Sequence, residues 1–147
     1  MSYRLVETHP AEVLLNRSLI QAHHDELKMP WPLDPDIERF TALYLQWSLF
    51  VLALYYGDEL IGYSFNFIDK HLHSKDLTVC VNELLYVNPV GGHRSTMWPA
   101  MLMSQTKVLA KQRGAAFMQW HTVPGTPLGR TLLRRVPVFE EAYIHPL

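Results

Sequence analysis

Apolar positions recur at two spacings along the chain, and the switches between them mark out the elements. Residues Tyr3–Thr8 alternate as a short first strand. Thr8 is expected to cap a helix over 11–28, with Pro10 tolerated in its first turn. The run 29–35 carries Pro30, Pro32 and Pro35 and reads as a stiff connection, because helix is disfavoured before each proline. A second helix is expected over 36–46. Leu49–Tyr56, the turn Gly57-Asp58 and 60–69 read as a hairpin. A polar loop over 71–75 leads to a long strand over 77–87, apolar on both faces for much of its length as a central strand should be.

The stretch 82–114 carries the most chemistry. Glu83-Leu84-Leu85-Tyr86-Val87 ends at Asn88-Pro89, and the basic, glycine-containing turn 90–96 feeds a helix over 97–113. Trp98, Met101, Leu102, Val108 and Leu109 are expected to form that helix's buried face, and Gly114 its stop. A strand entering a helix N-terminus through such a turn directs free N–H groups and the positive helix end at one spot, a recipe for holding a phosphate. Arg94 adds a cationic partner there. A strand over 115–122 follows. Thr126 and Pro127 supply an N-cap and first residue for a helix over 128–135, and 138–144 reads as a final strand. The order β-α-α-β-β-β-α-β-α-β implies one α/β (α+β) domain, a mixed sheet with helices on both faces.

Composition narrows the class. With 147 residues, 48% hydrophobic and 18% charged, the chain is long enough for a core and is not disordered. The single cysteine, Cys80, excludes an intrachain disulfide and reads as a packed thiol in a reducing compartment. The N-terminus has no signal-like pattern, and the longest apolar run, 43–56, is short of a bilayer span, so a soluble, cytoplasmic protein is expected. Net charge is −1, but residues 1–89 hold 6 Lys/Arg against 12 Asp/Glu while 90–147 hold 7 against 2. The basic half begins at the phosphate-like turn, as docking of an anionic ligand would require. His71 and His73 form an HxH pair, but no Cys pair or HExxH accompanies it, so no metal site is expected. His23 and Glu26 lie one helical turn apart and are candidate substrate contacts.

The hairpin 55–63, the strand ending Leu85-Tyr86-Val87-Asn88-Pro89, the basic turn before an apolar helix, and 131–139 resemble the GNAT superfamily of acyl-CoA-dependent N-acyltransferases over essentially the whole chain. His23-His24-Asp25-Glu26, 32–36, His71-Leu72-His73 and Trp120-His121 with 125–129 more narrowly resemble small phage- or prophage-encoded members, which would place the protein in a host cytoplasm. The resemblance implies a central sheet of about six to seven strands with about four helices. It also implies acetyl-CoA as cosubstrate. Leu85, Tyr86 and Val87 would pair with its pantetheine, and Arg94, Ser95, Thr96 and Met97 would hold its pyrophosphate. Arg130, Arg134 and Arg135 are within the region that could reach its phosphates.

Glu83 stands four residues before Val87, where some members of the superfamily carry a base carboxylate. Strand alternation puts Glu83, Leu85 and Val87 on one face and Asn82 and Leu84 on the other. Burial in an apolar strand would favour the protonated carboxyl and suit a general base; a structural carboxylate is the alternative. The chain departs from the superfamily at two places. With Arg94 in the turn's first position, Ser95, Met97 and Pro99 hold its glycine positions and leave fewer free N–H groups, Gly91-Gly92 being an insertion before it or the source of a different curvature, and Leu133 stands where many members carry a tyrosine that protonates the leaving thiolate. Three readings follow: acetyl transfer to a primary amine of a small or macromolecular acceptor, a non-catalytic interaction or phage accessory protein on the same fold, and a modifier of a nucleic-acid base or base-linked amine. The last predicts DNA binding that falls steeply with salt. No membrane partner is expected, and exposed aromatics in the final strand are compatible with a homodimer.

Overall fold

The computed structural model describes residues 2–89 and 96–147. Its elements are β1 Tyr3–Thr8, α1 Pro10–Leu14, α2 Arg17–Leu27, α3 Ile37–Leu45, β2 Leu49–Tyr56, β3 Glu59–His71, β4 Ser74–Val87, α4 Met97–Gln112, β5 Phe117–Trp120 and α5 Pro127–Arg135. The five strands lie in sequence order in one sheet. β1 to β4 are antiparallel neighbours, and β5 runs parallel to β4.

Local chemistry explains most boundaries. Asp36 caps α3 by accepting from the N–H of Arg39 at 3.0 Å. Thr126 caps α5 through Gly129 N–H at 3.2 Å, with Pro127 in its first turn. Gly114 turns the chain after α4 at φ 85°. The expected helix over 11–28 is two helices, because Asn16 caps a fresh start at α2, its Oδ1 accepting from Leu19 N–H. His9, not Thr8, caps α1; Thr8 is the last residue of β1. The polar loop 71–75 is a tight hairpin, with β3 running to His71 and β4 starting at Ser74.

The expected final strand is not formed. Residues 138–144 have no regular structure among the described residues, and Phe139 and Tyr143 are exposed. Among the described residues the sheet has five strands and the fold five helices, one or two strands fewer and one helix more than the resemblance implies. A strand needs a neighbour to satisfy its backbone groups, and no described strand lies beside this segment.

Both faces of the sheet are covered. α1, α2 and α3 close one face over Val51, Ala53, Tyr63, Phe65 and Tyr86. α4 and the start of α5 close the other over Phe50, Leu52, Cys80 and Leu85. This explains why β2 is apolar at every position. The buried stripe of α4 is Leu102, Thr106 and Ala110, whereas Met101 and Val108, expected inside, are exposed. Thr106 escapes a hydrophobic count because it is polar; it is satisfied by Leu102 O and the hydroxyl of Ser64. Cys80 is fully buried, and burial pushes its thiol up to about 12, so it is a packing group.

Gly62 sets the spacing of β3 and β4, since a Cβ there would lie 2.8 Å from the backbone oxygen of Tyr86. Gly62→Ala is expected to destabilise the protein by about 1–3 kcal/mol, read as a lower urea midpoint. An unchanged midpoint would mean that the two strands move apart freely.

Candidate active site

β4 and β5 pair only over Val79–Asn82 and Phe117–Trp120. The last link is His121 N–H to Asn82 O at 3.1 Å. Beyond it the strands part, and a cleft of about 800 Å³ opens between them. One wall is β4 from Glu83 to Val87, with Asn88 and Pro89. The other is 121–123 with α5, and the first turns of α4 and the residues His23 and Glu26 of α2 complete the lining.

Backbone direction along this wall follows from one bond. Asn88 N–H donates to Ile61 O on the β3 side at 2.7 Å. Strand alternation then turns the N–H and C=O groups of Leu85 and Val87 the other way, into the gap that β5 has left. Those of Tyr86 face β3, so Tyr86 contributes to the cleft through its side chain.

Glu83 is a bulge residue. Phe65 pairs with Leu84 and Asn66 with Asn82, which leaves Glu83 as the extra residue of β4. Leu84 packs with Tyr86 under α1–α3 and Leu85 and Val87 pack toward α4, as the alternation predicts, but the bulge moves Asn82 off the face of Leu84 to the α4 side, where it meets Ser64, itself bonded to Thr106. Glu83 lies at the cleft, but its side chain is 51% exposed, so the expected burial of this carboxylate is not found. A bulge re-aims a side chain out of the pleat, which is the physical reason.

Asn82 holds the bulge from beneath. Its amide nitrogen lies 3.1 Å from Leu84 O, across the extra residue, and 3.3 Å from Phe65 O. It also reaches Asn66 Oδ1 at 2.8 Å and Ser64 Oγ at 3.1 Å. All four side chains of this network, Ser64, Asn66, Asn82 and Thr106, are fully buried. Among the described residues only Asn82 Oδ1 is a buried side-chain polar atom without a partner. Asn82→Ala removes the clamp and strands polar partners, with an expected loss of about 1–3 kcal/mol by urea unfolding. A loss under about 0.5 kcal/mol would show that the bulge stands without it.

His23 is buried, unlike a surface histidine of an amphipathic helix. Its Nδ1 lies 2.7 Å from the hydroxyl of Tyr63, and its ring stacks on Tyr86 at 4.6 Å and 9°. Burial, reinforced by His24, lowers its pKa to about 4, so the ring is neutral at pH 7. Burial, then Tyr86 and the negative charge of Glu26, push the Tyr63 hydroxyl well above the ordinary tyrosine range. Tyr63 is forty residues from His23 in sequence, and nothing in the local pattern announces the pair.

The predicted anion site is described in part. Thr96 lines the cleft, and Met97 begins α4 with its side chain exposed. Arg94 and Ser95 lie outside the described residues. Arg130 lines the cleft and donates to Gly125 O; Arg134 and Arg135 line it too. Leu133 is exposed, and Tyr143 lies on the exposed tail beside Glu141. Among the described residues, no three His, Cys, Asp or Glu side chains gather to hold a metal ion, and no helix is long and apolar enough to cross a membrane.

No family model and no curated protein sequence matches the chain. Solved structures do. A ribosomal-protein-alanine N-acetyltransferase from Brucella melitensis biovar Abortus 2308 superposes with a TM-score of 0.71 at 16% identity, covering 99% of each chain. An aminoglycoside acetyltransferase from an uncultured soil metagenomic sample, in complex with sisomicin, gives 0.71 at 14%, covering 99% of this chain and 94% of that one. A GCN5-related N-acetyltransferase from Ralstonia eutropha gives 0.71 at 16%, covering 99% and 98%. The chain thus has the GNAT fold, a single mixed α+β unit spanning nearly the full length of these neighbours.

Proposed function

We propose that the protein is an N-acyltransferase that moves an acetyl group from acetyl-CoA to a primary amine by direct transfer. The observation that carries this reading is the parting of β4 from β5, which turns the Leu85 and Val87 backbone groups into a cleft of about 800 Å³. A linear amide such as pantetheine can complete the ladder that β5 abandons, because its own N–H and C=O groups match a strand's. Arg94, Ser95, Thr96 and Met97 receive the pyrophosphate at the entry to α4, and Arg130 supplies further positive charge on the opposite wall. Glu83 sits where the strands part and serves the removal of the ammonium proton that must precede attack. His23 and Glu26 line the acceptor end, where the carboxylate of Glu26 favours a cationic amine.

A non-catalytic use of the fold is the competing reading. Pro99 favours it, because proline in the first turn of α4 removes an N–H that a phosphate would use. An amine screen separates the two. Thiol release from acetyl-CoA is measured with peptides that begin with alanine, aminoglycosides and polyamines, since structural neighbours include a ribosomal-protein-alanine N-acetyltransferase and an aminoglycoside acetyltransferase. Amine-dependent release is expected. Its absence across the panel, together with no binding of acetyl-CoA, would leave the interaction reading.

A further inference from the structure

The cleft holds a second histidine whose setting differs from that of His23. His121 is the first residue after β5, and its N–H makes the last link to β4. Glu83 is the first residue of β4 beyond that link. The two side chains therefore stand opposite each other at the apex where the strands separate. Both line the cleft. His121 Nδ1 lies 3.7 Å from Glu83 Oε2, and the side chains are 53% and 51% exposed. The backbone of Glu83 is held by the bulge that Asn82 clamps, and that of His121 by the final hydrogen bond of the parallel ladder.

We propose that His121 is a catalytic residue, the acceptor of the ammonium proton through Nε2, with Glu83 as the positioning residue that holds Nδ1–H. The inference rests on the acyl-transfer reading above and changes the part that Glu83 plays in it. A carboxylate beside Nδ1 draws the ring proton to that nitrogen and leaves the Nε2 lone pair for the cleft. The gap of 3.7 Å exceeds a hydrogen bond, and catalytic contacts of this kind tighten when substrate is bound. His23 cannot take this role, since its Nδ1 is engaged with Tyr63 and its ring is buried.

The chemistry balances as follows. The substrate R–NH3+ gives one proton to Nε2, and Glu83 stabilises the imidazolium. The freed nitrogen pair attacks the thioester carbonyl carbon, and the C–N bond forms. The C–S bond breaks with its electron pair leaving on sulfur, and the nitrogen loses its second surplus proton. Of the two protons released, one ends on the thiol and one in solvent.

Two measurements test the assignment. Long-range 1H–15N correlation spectra of the imidazole rings, at a pH where His121 is neutral, report its tautomer without needing an acceptor. The Nδ1–H form is expected in the wild-type protein, reverting to the Nε2–H form usual for free histidine in Glu83→Leu. An Nε2–H ring in the wild type would overturn the proposal, because no acceptor nitrogen would then face the cleft. With acetyl-CoA and the amine that turns over fastest in the screen, His121→Asn is expected to lower kcat by about 100-fold or more. The Glu83→Leu/His121→Asn double variant should be no slower than His121→Asn, because the two act as a unit. Undiminished turnover in His121→Asn would overturn the role of His121 alone. Absence of wild-type turnover with every amine, whatever the tautomer, would remove the acyl-transfer reading and the role of His121 with it.

Discussion

Glu83→Gln should slow amine acetylation by about 100-fold while leaving the affinity for acetyl-CoA unchanged. The size follows from what is lost. Removal of the ammonium proton by a positioned group contributes about 10²–10⁴ to such reactions, and glutamine keeps the shape of glutamate without its charge. The selectivity follows from geometry. Glu83 is the bulge residue, set apart from Leu85 and Val87, whose backbone groups face the gap. The bulge itself is held by Asn82, so glutamine at position 83 leaves the cleft wall in place. Steady-state kinetics with a titration of acetyl-CoA separate the two quantities. A variant that binds acetyl-CoA more weakly but turns over normally would assign Glu83 to binding instead of chemistry.

Acid should weaken the fold through His23, and the direction is fixed. Its folded pKa of about 4 lies below the ordinary 6.5, so folding favours the neutral ring. The stabilisation is complete above pH 6.5 and is lost as the pH falls from there to about 4. The full effect is about 3 kcal/mol, a large share of the stability of a domain of this size. Urea unfolding of the wild type and His23→Gln at pH 7.5 and 4.5 isolates it, because the remaining histidines and carboxylates titrate in both proteins. The wild type should lose more stability than the variant by nearly that amount. Equal losses would mean that the buried ring beside Tyr63 and Tyr86 acquires its proton as easily as a free one.

What could be read from the sequence was local. Asp36, Thr126-Pro127 and Gly114 mark helix ends by chemistry within a turn, and the Gly57-Asp58 hairpin is of the same kind. Leu85–Val87 was singled out by the resemblance and not by the apolar pattern itself, and these residues line the cleft. What escaped depended on distant partners. The bulge at Glu83 comes from the register between β3 and β4, and a single extra residue leaves no trace in a run of apolar positions. Asn82 is a polar residue in that run and was the one available hint that something at this point is buried and bonded. The pairing of His23 with Tyr63, and of His121 with Glu83, joins residues about 40 apart that only the fold brings together. The segment 138–144 has strand character in its side chains, but β5 lies next to β4 with no described strand on its other side. Pattern alone does not supply a neighbour.

The central claim is that the cleft between β4 and β5 receives acetyl-CoA. Calorimetric titration of acetyl-CoA into the wild-type protein tests it most directly, beside Ala100→Trp, which fills the cleft from α4, and Arg94→Ala. Saturable binding at one site is expected, lost in Ala100→Trp and weakened in Arg94→Ala. Absence of binding at millimolar acetyl-CoA, or equal binding in Ala100→Trp, would contradict the account.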